Sequence, residues 1–184
     1  AHQAYYISNT ALFYQNGSRG VNIEPDPDLF TEISRARKKD VNLNYGVGER
    51  EGVMDFYVVN VSTLNTFSKE DVESYSEQGD YKVVKIIPVP MRTLNSILDE
   101  CFDGGFPDFL SLDVEGMDEE IIKSIDYEGS CPTVICVETI SFSNSGNGVK
   151  NTSMVAFLES KGYMVYADTY INTIFVREDK WKGH

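Results

Sequence analysis

Histidine is almost absent from this chain: 184 residues contain two, His2 and His184, one at each end. A Ser-His-Asp hydrolase arrangement is therefore not expected, and no phosphate-cradling Walker loop is present either. Cysteine is nearly as scarce. Cys101, Cys131 and Cys136 are odd in number and lack the spacing of a zinc site, so neither a disulfide framework nor a cysteine-held zinc is expected. Cys136 lies in an apolar run and reads as a small core residue, and a reducing, cytoplasmic setting fits best. Positive charge is short: 16 basic against 29 acidic residues leave a net charge of -13. Nucleic acid and anionic membranes attract proteins through Lys and Arg clusters, so neither is expected as a partner. No apolar run approaches a membrane span, and no basic, apolar leader indicates export. The 41% apolar content and this length suit one globular domain over residues 1–184.

Short apolar runs alternate with helical patterns along the whole chain, which predicts an α/β fold with a doubly wound, mostly parallel sheet. Helices are predicted over 10–15, with Ser8 or Asn9 as cap, over 27–38, 93–102, 117–125 and 153–161. Strands are predicted at 20–24, 41–44, 53–59, 83–89, 109–113 and 133–138. Gly46-Val-Gly48 reads as a flexible turn, and Pro88 suggests an exposed edge. Residues 60–80 are polar and Ser-rich, the least core-like internal stretch. The Ser/Asn/Gly segment from Ser141 to Asn151 has the composition of an active-site loop. Tyr163 to Ala167 and Thr173 to Val176 form a closing antiparallel hairpin.

Three of the strands end in acids. Val21-Asn-Ile-Glu24 is closed by Pro25, Phe109-Leu-Ser-Leu-Asp113 leads into Val114-Glu115-Gly116, and Val134-Ile-Cys-Val-Glu138 is closed by Thr139. Ligands of open α/β sheets bind beyond the carboxyl ends of the strands. Parallel neighbours would bring Glu24, Asp113, Glu115 and Glu138 to one crevice. Like charges gathered there repel, so the crevice should receive something cationic, rich in hydroxyls, or metallic. Asp113 and Glu115 are candidates for contacting such a ligand, accepting a substrate proton or binding a divalent ion. Asp118, Glu119 and Glu120 are explained by the helix start they occupy and receive no chemical role.

These residues, in order, resemble the FkbM-type family of S-adenosylmethionine-dependent methyltransferases. The matching pieces are Asn9-Thr10, Gly20-Val-Asn-Ile-Glu24-Pro25, Asn42-Leu-Asn44 with Gly46 and Gly52, and Leu64-Asn-Thr-Phe67-Ser. They continue with Asp108-Phe-Leu-Ser-Leu-Asp113-Val-Glu115-Gly116, Val134-Ile-Cys-Val-Glu138, Phe157-Leu-Glu-Ser-Lys-Gly162-Tyr, and Tyr166-Ala-Asp168 with Asn172. The resemblance runs to about Glu178. It implies a Rossmann-like sheet closed by the antiparallel hairpin, with S-adenosylmethionine as methyl donor. The acceptor it implies is a hydroxyl of a sugar, glycan or small metabolite. Glu24 is then the acid for the donor's ribose hydroxyls, with Asn44 near the adenine and His2, Thr10 and Glu138 also on the cofactor side. Asp113 and Glu115 become the catalytic pair.

Two departures from the family pattern stand out. The family's first strand and its glycine loop precede Ala1-His2, so the numbered chain is expected to lack them, and oligomers are expected to follow from an exposed edge. Ser111 stands where much of the family carries Lys. Both departures leave a noncatalytic binding or assembly domain as the alternative.

Overall fold

The computed structural model describes residues 3–78, 81–114, 116–140 and 148–181. They form a mixed α/β structure in two compact units. One runs up to Ile97 and takes in Val114 and Gly116; the other comprises Leu98–Asp113 and the chain from Met117 onward. No described helix is long and apolar enough to cross a membrane.

The first unit opens with α1 (Ala11–Gln15), β1 (Val21–Ile23), α2 (Pro27–Ala36) and β2 (Val41–Leu43). Pro27 suits the first turn of α2 because its missing N–H would have no helical partner. The Asp26 carboxylate caps that turn, accepting from the N–H groups of Asp28 at 2.8 Å and Leu29 at 3.3 Å. β1 and β2 pair in parallel, Val21 opposite Val41 and Ile23 opposite Leu43. No side chain caps α1, contrary to the expectation for Ser8 or Asn9; Thr10 occupies the cap position.

A second group of strands follows: β3 (Gly46–Val47), β4 (Gly52–Val59) and β5 (Val83–Arg92). β4 and β5 form a long antiparallel pair, whereas β3 meets β5 only at Met91 and Arg92. Pro88 and Pro90 therefore fall beyond the short β3 ladder, where a missing N–H costs no bond to β3. Gly46 belongs to a strand rather than to the expected flexible turn, and the reason is a close approach. A side chain there would collide with Met91 and Phe67. Residues 60–80 also depart from expectation, forming a short 3-10 turn (Ser62–Leu64) and α3 (Lys69–Gln78). Thr66 and Tyr75 in this stretch are buried. With few apolar residues between them, the segment shows no readable period.

α4 (Leu94–Phe102) leads into the second unit, which contains β6 (Phe109–Leu112), α5 (Asp118–Ser124), β7 (Val134–Glu138), α6 (Thr152–Ser160), β8 (Tyr163–Asp168) and β9 (Asn172–Arg177). Its sheet has the order β6-β7-β9-β8. β6 and β7 are parallel, and β9 runs against both β7 and β8, so the expected closing hairpin is present. Ile135, Val137 and Phe175 are fully buried in this sheet, with Leu158, Ile121 and Ile122 from the helices equally buried. Each such side chain is worth roughly 1.5–3 kcal/mol of transfer free energy. α6 is capped by Asn151, which accepts from the Met154 N–H at 3.0 Å. Gly162, with φ +83°, turns the chain out of the helix into β8.

Candidate functional site

Parallel pairing of β1 and β2 puts Glu24 and Asn44 side by side at their carboxyl ends. The Glu24 N–H donates to Leu43 O at 3.0 Å, extending the ladder by one step. Asn44 Nδ2 donates to the carbonyls of Glu24 and Pro25, at 2.8 and 3.0 Å. Asn44 thus fixes the backbone of the turn that carries Glu24. That turn is tied down again from its other side. Asn65 Nδ2 donates to Asp26 Oδ2 at 3.0 Å, and Asn65 Oδ1 accepts from the Val59 N–H at 2.8 Å. The Leu64-Asn-Thr-Phe67 motif therefore braces the loop after β1, a role its sequence position does not reveal.

Glu24 is 5% exposed, which rules out an ordinary solvated acid at a strand end. Its Oε1 accepts from the Asp26 N–H at 3.0 Å. Burial raises its pKa above the ordinary carboxylate value, and the hydrogen bond from Asp26 opposes that shift only in part. A buried acid with an elevated pKa on a preorganised turn is suited to accept hydrogen bonds from a ligand.

Thr10 sits elsewhere in the same unit. Arg37 Nη1 donates to its Oγ1 at 2.7 Å, and the Arg37 guanidinium lies over the Tyr14 ring, 4.8 Å from its centroid. The Thr10 hydroxyl thus anchors α1 to the end of α2. His2 and Glu115 lie outside the described residues.

The second unit carries the other acids. β6 and β7 are parallel, with Leu112 opposite Val137, so Asp113 and Glu138 emerge at the same edge of this sheet. Asn172, at the start of β9, is the register partner of Glu138. Asp113 is exposed and Glu138 is half-buried. Burial lifts the Glu138 pKa to about 7, helped by the negative charges of Asp113 and Asp118. Burial likewise raises the Cys136 thiol, with Asp113 again contributing. Asp118 is 7% exposed. Its place in the first turn of α5 explains its charge, but its position beside Glu138 was not legible from that.

Glu119 also does more than begin a helix. Its carboxylate accepts from Lys123 at 2.6 Å, Asn151 at 2.7 Å and Ser153 at 2.7 Å, so it joins α5 to the start of α6. Those three donors pull its pKa down to about 2. Among the described residues, no group of three His, Cys, Asp or Glu side chains is placed to hold a metal ion.

The arrangement therefore offers a buried carboxylate on a braced turn in one unit and two strand-end acids on one sheet edge in the other. No curated protein and no solved structure gives a significant match to the sequence. Residues 1–165 do match a family, described as the methyltransferase FkbM domain, and they make up most of the 184-residue chain. By that match, and with the acids of its motifs at the ends of parallel strands, the chain belongs to the FkbM methyltransferase family.

Proposed function

We propose that this protein transfers a methyl group from S-adenosylmethionine to a hydroxyl of a sugar, glycan or secondary metabolite. The observation that carries the reading is Glu24, a buried carboxylate at the end of β1 in a family of methyltransferases. Parallel pairing of β1 with β2 in one unit, and of β6 with β7 beside a reversed β9 in the other, is consistent with a Rossmann-like fold. In such folds an acid at the carboxyl end of a strand accepts the hydroxyl protons of a ribose. The donor supplies, when bound, a methyl carbon made electrophilic by its sulfonium. Glu24 accepts hydrogen bonds from the nucleoside hydroxyls, Asn44 holds the turn that presents Glu24, and Asp113 is the base for the acceptor's proton.

The residues fit that donor. It brings a diol and two cationic centres, and this chain offers a buried acid at the end of β1 and further strand-end acids. Thermal unfolding with S-adenosylmethionine and with S-adenosylhomocysteine tests the reading. A ligand that binds only the folded state at a hundred times its Kd stabilises by about 2.7 kcal/mol, so both should raise the Tm. An unchanged Tm at millimolar concentrations of both rejects the reading and favours a noncatalytic domain.

A further inference from the structure

β4 ends its sheet, because the strand order there is β3-β5-β4. Among the described residues, its outer edge is met at Tyr57. The Tyr57 N–H donates to Thr66 O at 2.9 Å, and Tyr57 O accepts from the Thr66 N–H at 3.2 Å. Tyr57 therefore turns its backbone groups away from β5, and by the alternation of a strand so do Asp55 and Val53. Around those two residues the edge is open: Gly52, Val53, Met54 and Asp55 are all exposed, Val53 at 68%. The far side of β5 is protected. There β3 covers Met91 and Arg92, and Pro88 and Pro90, opposite Asp55 and Val53, have no N–H to offer. One edge of this ribbon is blunted, and the other is a template for a further strand.

The strand that fits it is β4 itself. An antiparallel pair about a two-fold axis sets outward-turned residues of one copy against those of the other. Centred on Asp55, the pair brings two Asp55 carboxylates together and calls on Tyr57, which Thr66 already holds. Centred on Val53, it sets Asp55 against the partner's Glu51. Like charges directly opposite destabilise a sheet, so both registers are disfavoured. Centred on Met54, Val53 meets the partner's Asp55 and Asp55 the partner's Val53, each pair exchanging both N–H···O bonds. Met54 then faces the partner's Met54. It lies on the same face as its cross-strand neighbour Val89 and as Phe56, both buried, yet is itself 41% exposed. Pairing there completes an apolar row that the single chain leaves unfinished.

We propose that two copies of this chain associate by pairing β4 with β4, antiparallel and centred on Met54, in a continuous sheet of order β5-β4-β4-β5. The contact does not depend on the methyltransferase reading and needs no ligand. Each copy carries a net charge of -13, so association should tighten as salt screens that repulsion.

Sedimentation equilibrium of the whole chain, from micromolar to millimolar and in low and high salt, measures the association. Wild type should show a monomer–dimer equilibrium that tightens with salt. The register fixes the sign of each change at Val53, whose exposure lets it be replaced without disturbing the monomer. Val53→Glu sets an acid against the partner's Asp55 twice in each dimer, and should weaken the dimer by about twofold to thirtyfold. Val53→Lys makes both pairs opposite in charge and should tighten it by a similar factor. Facing residues of a pair without hydrogen bonds lie close enough for a disulfide. Met54→Cys should therefore cross-link two chains under mild oxidation, while Asp55→Cys, set off the axis, and wild type with its own cysteines should not. A wild type that stays monomeric at millimolar concentration in high salt overturns the inference. So does a dimer that Val53→Glu and Val53→Lys shift in the same direction, or one in which Met54→Cys fails to cross-link.

Discussion

Asp40 and Arg37 form an ion pair in the interior of the first unit, Oδ2 lying 2.7 Å from Nη2, with side chains 0% and 5% exposed. Asp40 also accepts from the Gly20 N–H at 3.1 Å and from Asn22 Nδ2 at 3.0 Å, at the start of β1. Arg37 in turn donates to Thr10 and lies over Tyr14. A pair buried this deeply is tolerable only because its remaining donors and acceptors are satisfied. It sets where α1 and α2 end relative to β1, and so where the turn with Glu24 begins.

Asp40→Ala leaves the Arg37 charge buried without its counter-ion. The expected cost is about 3–5 kcal/mol. Urea unfolding of the variant should show a midpoint lowered accordingly with an unchanged slope. A loss below about 1 kcal/mol would show that the pair is solvated in solution.

Glu24 combines a ligand role with a folding cost. Its pKa is raised in the folded state, so between the unfolded value and the folded one the native protein holds the extra proton. Stability contributed by that group therefore declines as pH rises through this window. Glu24→Gln should be at least as stable as wild type at pH 8, with the advantage disappearing at pH 4, as followed by thermal melts across pH. Glu24→Ala should weaken S-adenosylmethionine binding about ten- to a hundredfold, the worth of a hydrogen bond to a charged group. Equal calorimetric affinities would remove Glu24 from the donor site.

For Glu138 the sign is the same and the window is defined. Its ordinary value of 4.5 becomes about 7 in the folded protein, so stability falls between those pH values and the penalty is complete above the upper one. Because the side chain is only half-buried, solvent screening reduces the effect to roughly 1 kcal/mol. Glu138→Gln should melt higher than wild type at pH 8 and identically at pH 4. A lower Tm at pH 8 contradicts the unfavourable environment assigned to this acid.

Gly46 offers a test of packing alone. An Ala there must displace the Met91 side chain and the Phe67 ring, and overpacking of this kind typically costs about 1–3 kcal/mol. Chemical denaturation of Gly46→Ala should show that loss, and a neutral variant would mean that both side chains move aside freely.

Outside Gly46–Val47 and residues 60–80, the order of the elements was determined by the sequence alone, because the signals involved are local. Pro27 and Asp26 mark the start of α2, Gly162 ends α6, and the apolar runs at Val134–Glu138 and Asn172–Arg177 are short enough to be only strands. The acids at the strand ends were legible for the same reason, since a strand's carboxyl end is a sequence position. What each acid experiences was not. Glu24 and Asp113 both end short apolar runs, yet one is buried and the other exposed. Glu119 and Asp118 are neighbours in a helix start, yet one is stabilised by Lys123, Asn151 and Ser153 while the charge of the other opposes ionisation of Glu138. Likewise Thr10 meets Arg37, 27 residues away, and Asn65 meets Asp26, 39 residues away. Ionisation and hydrogen bonding depend on desolvation and on groups distant in the chain, and only the tertiary structure brings those together.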